Sequence, residues 1–136
     1  MSNLFFLLFF VISSRKKRIA AGILKKKTKG EIPMMDMNLE QFRSNVAKEQ
    51  VSLVEFWAPW CVYCRRIAPA MEKVAAQAGE LTVGRVNIDE EPILAAQEQI
   101  EVIPTLVLYR GGKALGSIVA PESKARIEEF VRETLA

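Results

Sequence analysis

Three apolar runs constrain the fold of this chain more than any other feature. VSLVEFW (51–57), LTVGRVNI (81–88) and TLVLY (105–109) are rich in β-branched and aromatic residues and read as buried strands. Windows with helical spacing separate them. Asn38 is suited to cap a helix from Leu39 to about Glu49, with Gln41 three residues on as its reciprocal partner. A helix from Cys61 to about Ala78 places Ile67, Met71 and Val74 on one face, and Pro69 inside it should kink it. Pro92 predicts the start of a helix through ILAAQEQI (93–100). A last helix aligns Ile127, Phe130, Val131 and Leu135. IPMMDM (32–37) supplies a short first strand, and RGG turns the third run back into KALGSIVA (113–120). The order is β-α-β-α-β-α-β-β-α. That is an α/β fold with parallel strands and crossover helices at the start, an antiparallel hairpin at one edge, and helices on both faces.

Length and charge divide the chain. With 136 residues, half of them apolar, it has room for one domain with a real core and a tail. Eight of the 19 lysines and arginines lie within residues 1–30, which hold no acid. The other eleven bases meet all 16 acids, so a tail of +8 precedes a domain of −5. Nucleic-acid binding by the domain therefore lacks electrostatic support. There is no histidine. Cys–His and Ser–His catalysis are absent with it, and two cysteines alone cannot complete a zinc site, so no metal is expected.

The tail carries an apolar stretch from Leu4 to Ile12. Nine helical residues rise about 14 Å against a hydrocarbon core of roughly 30 Å, too short to span. An export signal would place bases before the apolar run, but RKKR (15–18) follows it. Two readings stay open: a leader with no role, and weak membrane contact through residues 4–29, with Phe and Leu dipping in and lysines on anionic lipid. Bases after the run agree with a cytoplasmic domain.

Cys61 and Cys64 are the only cysteines and stand one helical turn apart. Cys61 would sit at the amino end of its helix, where unpaired N–H groups and the helix dipole favour an anion. A thiolate is such an anion, and it is the species that attacks disulfides. Cys64, on the same side and within bonding reach, could then attack Cys61 and release the reduced substrate. The plainer alternatives are a structural bridge, half of a shared metal site, or two idle core cysteines. A bridge closing so short a loop removes little unfolded-chain entropy, which weakens the first of these.

VEFWAPWC with its C-x-x-C, IAP in the following helix, VNID at the end of a strand and IPT before the next resemble thioredoxin in order and spacing. The resemblance covers residues 31–136 and leaves residues 1–30 outside. It implies a thioredoxin fold, a central mixed sheet of about five strands flanked by four helices. It also implies protein-disulfide reduction in the cytoplasm by a monomer. No prosthetic cofactor is implied; electrons would come from NADPH through a thioredoxin reductase, and the substrates would be disulfide-containing proteins.

Residue by residue, the resemblance makes Cys61 the exposed attacking thiol and Cys64 the buried resolving thiol. Pro104 occupies the family's cis-proline position, and the backbone of Ile103 would pair with an extended substrate. Glu55 stands where thioredoxins usually carry aspartate. Buried in its strand, it should have a raised pKa and could take the proton from Cys64 through water. Arg85 matches a family lysine near this carboxylate and would hold Glu55 ionised more firmly. Trp60 should line the contact surface and Trp57 pack beneath it, while Pro59 and Pro69 shape the turn and the kink. Val62 and Tyr63 replace the usual Gly-Pro between the cysteines, and Ala120, followed by Pro121, replaces a glycine of the substrate surface. These departures, together with Glu55 and the tail, raise a second function, a membrane-associated thiol oxidant or isomerase. Isomerases often use a histidine between the cysteines to become oxidising, and this chain has none. A third function, a binding module without catalysis, would have no use for the intact pair.

Overall fold

A computed structural model describes residues 34–136. The expectations for the tail and for the first two residues of the first strand lie outside the described residues. The elements are β1 (Met35–Asp36), α1 (Leu39–Val46), β2 (Ser52–Trp57), α2 (Val62–Gln77), β3 (Thr82–Asn87), α3 (Pro92–Gln97), β4 (Thr105–Arg110), β5 (Lys113–Val119) and α4 (Lys124–Leu135). They follow the expected order.

Local chemistry sets the helix ends. At α1 the Gln41 N–H donates to Asn38 Oδ1 at 2.9 Å, and the Asn38 N–H donates to Gln41 Oε1 at 3.0 Å, a reciprocal capping box. Two helices stop short of their expected ends. α1 ends at Val46 rather than near Glu49, its cap Ala47 donating back to Arg43 O at 3.2 Å. α3 ends at Gln97 rather than Ile100. There Gln99 turns left-handed, with φ +57, and the Ile100 N–H reaches back to Ala95 O at 2.9 Å. Glycine usually holds such a closing turn, so its sequence signal was missing.

The five strands lie in the order β1-β3-β2-β4-β5. β1 and β2 both run parallel to β3, β4 is antiparallel to β2, and β5 pairs antiparallel with β4 at the edge. Side chains alternate between the faces of the sheet. Leu53, Val83, Leu106 and Leu108 pack with Ile67, Met71 and Val74 of α2 and Ile127 and Phe130 of α4. Val54, Phe56, Val86, Val107 and Tyr109 pack with Phe42 and Val46 of α1 and Leu94 of α3. Leu53, Val54, Phe56, Leu106 and Leu108 are fully buried, as the apolar runs required. Among the described residues no helix is long and apolar enough to cross a membrane.

Candidate active site

β2 delivers the site. Its buried strand ends at Trp57, and Ala58, Pro59 and Trp60 turn the chain into α2. Cys61 is the N-cap of α2 rather than its first helical residue, with an extended backbone at φ −79 and ψ 110. Its Sγ accepts the Cys64 N–H at 3.1 Å. A sulfur thus takes up one of the orphan donors of a 16-residue helix, where its dipole favours negative charge. Cys61 and Cys64 form a disulfide with Cα atoms 5.2 Å apart. In this bridged form both cysteines are nearly covered, at 7% and 4% exposure, so the expected contrast between an open and a closed thiol is small here. Pro69 lies inside α2.

The cysteines form a small cluster with Ala58, packed by Trp57, Tyr63, Ile88 and Ile103. Ile103 precedes Pro104, and the peptide between them is cis. The structure therefore brings the cysteines together with the segment expected to pair with substrate. Ala120 joins through its N–H, which donates to Pro104 O at 2.8 Å. The Tyr63 hydroxyl donates toward the carbonyl oxygens of Ala120 and Pro121, at 3.3 and 3.4 Å.

The surrounding surface is apolar and open. Trp60, Val62, Val102 and Val119 are each more than half exposed. The Trp60 indole N–H donates to both oxygens of Asp89, at 3.2 and 3.1 Å. A groove of about 870 Å³ elsewhere, lined by Val51, Val74, Leu81 and Val131, includes neither cysteine. The sulfurs thus lie beside an exposed apolar surface of the kind that docks polypeptides.

Glu55 is 3% exposed, two residues before Trp57 on the face of the sheet that α2 covers. Burial pushes its carboxyl up to about 7, against a smaller opposing pull from the Arg85 charge. The Arg85 charge acts on it in the expected direction, but Arg85 forms its ion pair elsewhere. Its Nε is bonded to Asp36 at 2.5 Å, and its guanidinium carbon lies 4.4 Å from the centre of the Trp57 ring. Among the described residues Glu55 has no ion pair. Sequence reasoning gave no role to Asp36 or Asp89. Asp89 closes the VNID motif, a signal that was available; Asp36 had none beyond its charge. Among the described residues no three His, Cys, Asp or Glu side chains gather as a metal site.

The thioredoxin family model matches residues 33–133. The chain is 37% identical over 108 residues to a thioredoxin of Streptomyces clavuligerus, covering 79% of this chain and 92% of that one. It is 36% identical over 87 residues to the bifunctional thioredoxin reductase/thioredoxin of Mycobacterium leprae (strain TN), covering 63% of this chain and 19% of that protein. Among solved structures, a thioredoxin of Malassezia sympodialis superposes with a TM-score of 0.69 at 23% identity, over 76% of this chain and 91% of that one. That last likeness concerns the fold alone.

Proposed function

Because this chain belongs to the thioredoxin family and is a thiol–disulfide oxidoreductase, we propose that it works as a protein-disulfide reductase through a cycle of Cys61 and Cys64. One observation carries the assignment of roles: Cys61 Sγ caps α2 and accepts the Cys64 N–H. When the bridge is reduced, that position favours a thiolate on Cys61. The thiolate attacks one sulfur of a substrate disulfide. A Cys61–substrate disulfide forms, and the other substrate sulfur leaves and takes up a proton. Glu55, ionised above about 7, accepts the Cys64 proton through an intervening water. Cys64 then attacks Cys61 Sγ, the intramolecular bridge closes, and the substrate departs carrying two electrons.

Ile103 and cis-Pro104 would align the substrate chain, and Trp60, Val62, Tyr63 and Ala120 would form the surface around it. Trp57, Pro59, Pro69 and Arg85 hold this machinery in shape. The domain spans residues 31–136, in keeping with the matched segment 33–133, and acts as a cytoplasmic monomer. Recharging comes from a thioredoxin reductase that draws on NADPH; the Mycobacterium leprae relative joins the two names in one chain.

The family matches do not favour either alternative. An oxidant would need some means of stabilising the reduced pair, and the chain has no histidine for it. The deciding experiment equilibrates the purified chain with glutathione and measures the reduction potential of the pair. A value near about −270 mV supports the reductase, and one between about −120 and −180 mV overturns it in favour of an oxidant or isomerase.

A further inference from the structure

Ala120 is held in an unusual backbone state from two sides. Its φ of +44 lies in the left-handed region that residues with a Cβ rarely adopt. The Ala120 N–H is bonded to the carbonyl of Pro104, and its carbonyl accepts from the Tyr63 hydroxyl. Pro121 O lies within reach of the same hydroxyl. Tyr63 sits between the two cysteines in sequence, and its half-buried ring packs against both the cysteine cluster and the core beneath α2 and α4. One phenol thus ties the redox turn to the loop between β5 and α4, 57 residues away. Glycine would adopt this φ unaided. Alanine does not, and the two hydrogen bonds supply the hold.

We propose that Tyr63 is a positioning and specificity-determining residue: its hydroxyl latches the β5–α4 loop at Ala120 and Pro121 to the redox turn, and so sets the surface on which a disulfide-bearing polypeptide docks. The proposal rests on the reductase reading above. Val119, which ends β5 beside the latch, is 52% exposed and would shift with the loop relative to Cys61. A polypeptide with apolar residues beside its disulfide touches this loop. A small aromatic disulfide reaches the sulfur without it.

The test compares the full chain with Tyr63→Phe, which keeps the ring and removes the hydroxyl. Loss of one neutral hydrogen bond corresponds to about fivefold in an equilibrium. KM for insulin should therefore rise about fivefold, with kcat and the reduction potential of the pair unchanged. The rate with 5,5′-dithiobis(2-nitrobenzoate) should fall by a smaller factor than kcat/KM for insulin. In an Ala120→Gly background the same substitution should do much less, because glycine holds the turn without the phenol. An unchanged insulin KM in Tyr63→Phe overturns the latch. So does a parallel fall with both substrates, or a shifted potential, since either places the effect on the cysteines themselves. If the unsubstituted chain reduces neither disulfide, the reductase reading fails. If it reduces both and Tyr63→Phe matches it, only the latch does.

Discussion

Glu55 and Arg85 stand opposite one another in the register of β2 and β3, yet Arg85 forms its ion pair with Asp36 rather than with the buried carboxylate. Asp36 faces Arg85 from the other side, so β1, β3 and β2 align acid, base and acid in one row. The base joins the exposed acid, whose side chain is 72% exposed, and stacks on Trp57. Turning inward would require the guanidinium to lose its water and the stack together. Desolvation of Glu55 is therefore only partly opposed by the Arg85 charge, without an ion pair.

The buried carboxyl makes stability depend on pH in a definite direction. Its pKa is near 7 when folded and 4.5 as the ordinary value. The folded state holds the proton more tightly, so the contribution is fully present below about 4.5 and is lost as pH rises through about 7. Above that range the ionised group costs on the order of 3 kcal/mol. Glu55→Gln, a neutral isostere, should raise the midpoint of urea unfolding at pH 8 and change it little at pH 4. Equal effects at both pH values would show that Glu55 is not held protonated by burial.

In the proposed cycle the same group governs resolution of the mixed disulfide. As a proton acceptor it works only when ionised, so release of substrate from Cys61 should accelerate between pH 6 and pH 8. Glu55→Gln should slow that release on the order of 10²-fold, at the low end of general-base effects, and flatten the profile. Stopped-flow tryptophan fluorescence would follow the step. An undiminished rate would assign Glu55 to structure alone.

Asp36→Asn tests the row of charges. Without its exposed partner, Arg85 becomes available to the buried carboxylate. An opposite charge at closer range favours the ionised form, so the Glu55 pKa should move below about 7. The pH profile of the resolving step should move to lower pH with it. A profile that stays in place would mean that the Trp57 stack alone keeps the guanidinium from pairing with the buried carboxylate.

What the sequence disclosed and what it withheld divide along a physical line. The element order, the Asn38–Gln41 capping box and the turn into α2 depend on residues close along the chain, and all could be read. The cis peptide at Pro104 became legible through the resemblance of IPT to a family motif. The Asp36–Arg85 pair could not, because it requires the register of a two-residue strand against β3. The Tyr63–Ala120 contact joins positions 57 residues apart through one hydroxyl, and no local pattern encodes it. Gln99 closes α3 where glycine would have announced the end.

The proposed cycle gives the two sulfurs at the head of α2 different tasks, and two substitutions should show it. Cys61 Sγ holds the N-cap position and accepts the Cys64 amide, whereas Cys64 lies within the first turn of the helix. In the proposed cycle the first sulfur meets the substrate disulfide and the second resolves the resulting mixed disulfide. Cys61→Ser should therefore abolish insulin reduction, because serine can form no disulfide with the substrate. Cys64→Ser should still attack but fail to resolve, so a covalent adduct with a disulfide-bearing protein should accumulate on non-reducing gels and disappear with dithiothreitol. Serine is close to cysteine in size, so both variants should keep the far-ultraviolet circular dichroism of the unsubstituted chain. If Cys61→Ser retains full activity, or if the adduct forms through Cys64 instead, the order of the two thiols is reversed.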